Sequence, residues 1–152
     1  MHIVLVNPEI PQNTGNIART CALTETVLHL VKPLGFSLED RYLKRAGLDY
    51  WDKVKVNIWE SFDEVEKCLK GHNIYLATTK ASKAYHQVRY RKDDVLVFGC
   101  ETKGLPDEIL GRYPENKIRI PMKNIGRSLN LSNSAAIILY EALRQLDFEG
   151  LC

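Results

Sequence analysis

A chain of 152 residues, 45% of them hydrophobic, can bury one good core but is short for two ordinary domains, so a single domain spanning 1–152 is expected. A net charge of +2 permits a nucleic-acid partner without arguing for one, because a strongly electropositive domain would stand further from neutrality. The apolar run from Ile3 to Val6 is too short for a signal-peptide core, and no stretch approaches the roughly 18 apolar residues of a membrane span, so a cytoplasmic protein is expected.

Strands are expected where short β-branched runs occur: Ile3 to Val6, Val27 to Val31, Val54 to Ile58, Ile74 to Thr78, Val95 to Phe98 and Ile118 to Ile120. Helical patterns separate them, which implies an α/β fold, a mostly parallel sheet with helices on both faces. Asn13 or Thr14 can cap a helix after the first strand, and Arg19 then lies one turn beyond Gly15 and Asn16. Ser61 followed by Glu64 reads as a capping box ahead of Val65, Cys68 and Leu69. After Ser132, the residues Ala135, Ile138, Leu139, Ala142, Leu143 and Leu146 recur at helical spacing, an apolar face for its own sheet or for another subunit. The cysteines Cys21, Cys68, Cys100 and Cys152 form no Cys-x-x-Cys pair, so free thiols are expected, with no metal site.

Ligands of open α/β sheets bind beyond the carboxyl ends of the strands. Three strand ends here run into loops rich in Gly and small polar residues: 77–80, 99–106 and 121–133. Such loops at successive strand ends predict one shared pocket. It is not a known phosphate site. Gly99 and Gly104 are spaced like a Walker loop, but Leu105 and Pro106 follow where Lys and Ser or Thr are needed, and no Gly-x-Gly-x-x-Gly follows the first strand.

Taken in order, Asn13-Thr14-Gly15-Asn16-Ile17-Ala18-Arg19, the loop from Phe98 to Pro106, and Arg127-Ser128-Leu129-Asn130-Leu131-Ser132-Asn133 resemble the three motifs of the SPOUT 2′-O-methyltransferases. The similarity extends over the whole chain, including Pro8-Glu9-Ile10-Pro11 and Arg45-Ala46-Gly47-Leu48-Asp49-Tyr50. It points to the TrmL (YibK-like) branch, which methylates the wobble nucleotide of leucine tRNAs. The resemblance implies a deep C-terminal trefoil knot, a homodimer, S-adenosylmethionine as methyl donor and tRNA as acceptor. It implies cofactor contacts at Ala77, Gly99, Gly104, Ile120 and Ser128, with Met122 and Leu129 lining the pocket.

Methyl transfer to a ribose hydroxyl needs the donor held in line with the oxygen and a group that stabilises or removes the hydroxyl proton. The family assigns the arginine at position 19 to catalysis, often as a base. Neutralising a guanidinium at pH 7 costs roughly 7 kcal/mol, so an electrostatic clamp on the developing alkoxide or a nearby phosphate is the better physical role. Asn13, Glu101 and Asn130 complete the candidate catalytic set. Glu101 either orients a ribose or locks its loop. Cys100 has no sequence-adjacent histidine to activate it, and the reaction needs no covalent step.

For RNA, Lys80, Lys83, Tyr85, His86, Arg89, Tyr90, Arg91 and Lys92 interleave cations with aromatics able to stack on bases. Arg127 joins Lys80, Arg89 and Arg91 as candidate RNA contacts, and Arg41, Lys44 and Arg45 form a second cluster. Three other readings stay open: a SPOUT enzyme for another tRNA or rRNA position, a noncatalytic RNA-binding protein, and a small-molecule nucleotide enzyme.

Overall fold

The computed structural model describes residues 1–39 and 50–152. Within them, six strands form one sheet: β1 (His2–Val6), β2 (Val27–Val31), β3 (Val56–Trp59), β4 (Ile74–Ala77), β5 (Val95–Phe98) and β6 (Lys117–Ile118). The cations Arg41, Lys44 and Arg45 and the stretch from Arg45 to Asp49 lie outside the described residues. Strand order is β3-β2-β1-β5-β4-β6, and each of these pairings is parallel.

Side-chain alternation divides the core in two. Ile3, Leu5, Leu28, Leu30, Leu96 and Phe98 face α1 (Pro11–Leu23) and α4 (Leu131–Gln145). Val4, Val6, Val31, Leu76, Val95 and Val97 face α2 (Phe62–Cys68) and α3 (Asp107–Arg112). All four residues of β5 are buried, as a strand covered on both sides requires. The neighbouring strands β1 and β5 send their following helices, α1 and α3, to opposite faces. Their loops therefore diverge and open a crevice at the carboxyl edge, as strand-order reversal does in open sheets.

Several local expectations shift. Helix α1 starts at Pro11, with Ile10 as its N-cap and no side-chain cap. Proline's preset φ and missing N–H suit the first helical position, which leaves Asn13 and Thr14 inside the helix and buried. Ser61 makes no capping bond; Glu64 accepts instead from the Glu60 amide at 3.0 Å. Strand β6 ends at Ile118 because Arg119 leaves β4 to bridge Ala84.

For α4 the two alternatives resolve toward its own sheet. Ala135, Ile138, Leu139, Ala142 and Leu143 are buried within the chain, so the face held out for another subunit is already covered. No described helix is long and apolar enough to cross a membrane.

Candidate cofactor cleft and acceptor surface

At the carboxyl ends of β4, β5 and β6 lies a cleft of about 480 Å³, within the range of small-molecule sites. It is built by the loop after β5 and the loop between β6 and α4. Ala77, Gly99, Gly104, Ile120, Met122, Ser128 and Leu129 all line it, as do Asn13, Glu101 and Asn130. Phe98, Ile118, Leu131 and Ile138 add apolar wall; Phe98 and Leu131 belong to the motif segments, whereas Ile118 and Ile138 read only as strand and helix-face residues in the sequence, and the fold turns them toward the cavity.

The loop from Gly99 to Gly104 folds back on itself. Cys100 and Gly104 pair as an antiparallel bridge, with the Gly104 amide donating to the Cys100 carbonyl at 3.0 Å. A Cβ on Gly99 would overlap the Gly104 carbonyl carbon and the Leu105 nitrogen. The close approach that demands glycine at 99 is thus the loop's own peptide. Gly104 has φ +71°, a left-handed conformation that glycine adopts without a Cβ penalty.

A chain of hydrogen bonds joins the three motifs. Glu101 accepts from the amides of Glu9 (2.8 Å) and Ile10 (3.1 Å) and from Asn13 Nδ2 (3.0 Å). Asn13 Oδ1 accepts from Asn130 Nδ2 at 2.9 Å. Asn130 Oδ1 then takes the amides of Ser132 and Asn133 and the Ser132 hydroxyl, capping α4. A carboxylate holding three donors acts as a brace, which fits the loop-locking role of Glu101. Cys100 Sγ lies 3.7 Å from the Gly104 carbonyl, and among the described residues no imidazole lines the cleft.

Arg19 lies elsewhere. It is exposed on α1, outside the cleft lining, with its Cζ 4.8 Å from the centre of the Tyr50 ring.

The cations divide in the same way. Lys80 and Arg127 line the cleft, while Arg89 and Arg91 are exposed away from it. Lys80 bonds Asp107 at 2.8 Å, and its ammonium holds the Asp107 carboxyl below its usual range. Tyr90 cannot stack on a base. It is 5% exposed, and its hydroxyl donates to the Tyr85 carbonyl at 2.6 Å, because its ring belongs to the core beneath α4.

Sequence reasoning passed over Arg119 and Lys123, which with Thr79 and Arg127 line a shallow pocket of about 380 Å³ beside the cleft. Among the described residues no carboxylate lines it, and none of the three cations forms an ion pair there. Arg119 is anchored by its backbone, its amide donating to Lys83 and its carbonyl accepting from Tyr85. The polar position between Ile118 and Ile120 was the available signal.

Residues 1–140 match the model of the SpoU rRNA Methylase family. The chain is 54% identical over 149 residues to the tRNA (cytidine(34)-2′-O)-methyltransferase of Methylovorus glucosotrophus (strain SIP3-4), covering 97% of each chain. A solved structure concerned with 2-OH methylation of C/U34 on tRNA superposes with a TM-score of 0.93 at 43% identity, covering 97% of each chain. An AdoMet-bound rRNA methyltransferase from Sinorhizobium meliloti superposes with a TM-score of 0.85 at 26% identity, over 95% of this chain and 56% of that one.

Proposed function

From membership of the SpoU methylase family, to which the chain belongs, we infer that it transfers a methyl group from S-adenosylmethionine to the ribose 2′-hydroxyl of nucleotide 34 in tRNA. The observation that carries this reading is the 54% identity, over 97% of both chains, to a tRNA cytidine-34 enzyme. Leucine tRNAs as substrates, a single SPOUT domain over 1–152, its C-terminal knot and a cytoplasmic location follow from the same family reading.

The cleft suits the cofactor. Phe98, Ile118 and Leu129 offer apolar wall for a purine, and backbone groups of the Gly99 to Gly104 loop reach the same space. Bound S-adenosylmethionine supplies a methyl group on a positively charged sulfur, open to attack by an oxygen nucleophile. The chain's part is to hold donor and acceptor in line and to stabilise charge on the acceptor oxygen. Glu101, Asn13 and Asn130 keep the three motif segments in register, and Arg19 clamps the developing alkoxide or an adjacent phosphate.

Because Arg19 stands outside its own chain's cleft, this role calls for a homodimer in which the arginine of one subunit reaches the other's site. Exposed apolar residues support such an interface: Ile10 and Leu129 at the cleft mouth, and Ile137 and Tyr140 on the outer side of α4. For the acceptor, Arg119, Lys123 and Arg127 offer a cationic rim for RNA phosphates, and Arg89 and Arg91 extend the contact.

The test is incubation with methyl-labelled S-adenosylmethionine and total tRNA, followed by nucleoside mass spectrometry and mapping. The expected product is 2′-O-methylcytidine or 2′-O-methyluridine at position 34. Methylation elsewhere would favour another SPOUT specificity, and cofactor and tRNA binding without product would favour a noncatalytic RNA-binding protein.

A further inference from the structure

One carboxylate supports the cleft without lining it and stands outside the candidate catalytic set. Glu9 sits in the loop after β1, and its side chain crosses to the loop after β5. Its Oε2 accepts from the Thr102 amide at 3.0 Å and its Oε1 from the Thr102 hydroxyl at 2.8 Å. Glu101 reaches the opposite way, to the amides of Glu9 and Ile10. The two glutamates thus form a reciprocal clasp, four hydrogen bonds between two loops more than 90 residues apart in sequence.

From this geometry we propose that Glu9 is a positioning residue for S-adenosylmethionine, holding the Gly99 to Gly104 loop at the depth the cofactor needs. This rests on the methyltransferase reading of the cleft. The clasp can transmit position because its anchor is fixed from behind. The Gly35 amide donates to the Pro8 carbonyl at 2.9 Å, and a Cβ on Gly35 would come within 2.7 Å of Glu9 Cα. Glu9 is therefore seated against the loop after β2, while Thr102 is exposed. Thr102 and its neighbours through Gly104 line the cleft, whereas Glu9 does not. Releasing Glu9 frees the loop on the cofactor side and leaves the acceptor-side cations untouched.

The experiment compares wild type with Glu9→Ala, Glu9→Gln and Thr102→Val in the full-length chain. It measures S-adenosylmethionine affinity by calorimetry, KM for cofactor and for tRNA, kcat and thermal midpoint. Glu9→Ala is expected to weaken cofactor binding about tenfold, equivalent to about 1.4 kcal/mol, with KM for tRNA within about twofold of wild type. Glu9→Gln keeps an acceptor oxygen but turns an NH2 group toward a donor, so it recovers part of the loss. Thr102→Val, close in shape and retaining the backbone amide, should lose less than Glu9→Ala and add little to it in the double variant.

Unchanged cofactor affinity in a Glu9→Ala protein with a lowered thermal midpoint would overturn the proposal and leave Glu9 a structural brace. Full additivity of the two substitutions would also overturn it. Wild-type cofactor binding without methyl transfer would sink the enzymatic reading while the affinity comparison still decides the role of Glu9. A wild-type chain that binds no S-adenosylmethionine would sink both.

Discussion

Two polar assemblies rest on the same sheet and face opposite demands. On the face covered by α2, Trp59 Nε1 donates to His29 Nδ1 at 3.0 Å. His29 Nε2 must then carry its own proton and give it to His2 Nδ1, also at 3.0 Å. His29 is 2% exposed, and burial, reinforced by repulsion from neighbouring positive groups, pushes both imidazoles down to about 4. These groups are neutral and turned toward one another. At the carboxyl edge, Glu101, Asn13 and Asn130 also bond one another, but among the described residues Arg119, Lys123 and Arg127 beside them form no ion pair and are left for a ligand. Polar groups on a covered face must satisfy each other, whereas those at a strand-end crevice can be kept for a ligand.

The largest effect expected from breaking this contrast is on catalysis. Arg19→Ala should reduce single-turnover methyl transfer by roughly 100-fold or more, the scale of losing a charge-stabilising donor, with cofactor affinity nearly unchanged. Arg19→Lys should recover only part, since an ammonium keeps the charge and loses the planar fork. A fully active lysine variant with a displaced pH profile would instead identify a neutral base.

Gly99→Ala should come next, lowering stability by about 1–3 kcal/mol, the usual scale of overpacking, because the added Cβ meets the Gly104–Leu105 peptide, and weakening cofactor binding as the loop shifts. Urea unfolding checks the first effect and calorimetry with S-adenosylmethionine the second. Normal affinity would mean that the loop can move aside at no cost to the site.

The histidine assembly should respond in stability and not in transfer chemistry. Its folded values near 4 lie below the unfolded value of about 6.5. The stabilisation is therefore complete above pH 6.5 and is lost as pH falls from there toward 4. Urea unfolding should show a loss of about 3 kcal/mol between pH 7.5 and 4.5, less than two fully buried groups would give because water screens the half-buried His2. His29→Gln removes one of the two titrating imidazoles and should shrink that loss, with His2 keeping its part; an unaltered pH dependence in the variant would show that other groups set it.

The smallest effects concern RNA contacts. Replacing Arg119 and Lys123 with Ala should lower the salt slope of tRNA binding by about 0.7–0.9 for each phosphate no longer neutralised. Arg89 and Arg91, exposed away from the cleft, should contribute similarly to binding but less to kcat. Equal effects of the two pairs on kcat would erase the distinction between rim and periphery.

Much of the fold was legible locally. The runs at 27–31 and 95–98 carry their strand character in β-branched and apolar composition, and the helical spacing from Ala135 to Leu143 marks a buried face wherever that face comes to pack. Boundaries were less legible, because Pro11 starts a helix before the polar cap candidates and Arg119 leaves its strand to bridge the distant Ala84. The residues gathered at the cleft were readable as an ordered set of motifs. Their division of labour was not.

The amino-acid order by itself determined the alternating α/β plan, the glycine-rich strand ends and the motif set that identifies the family, because these depend on local spacing and residue type. Tertiary structure decided that Gly99 is required by its own loop, that Tyr90 belongs to the core, that Arg19 stands outside the cleft and that Glu9 reaches Thr102. Each of those facts is a contact or separation between chain segments, and the sheet's strand order, which local propensity does not encode, sets which segments meet.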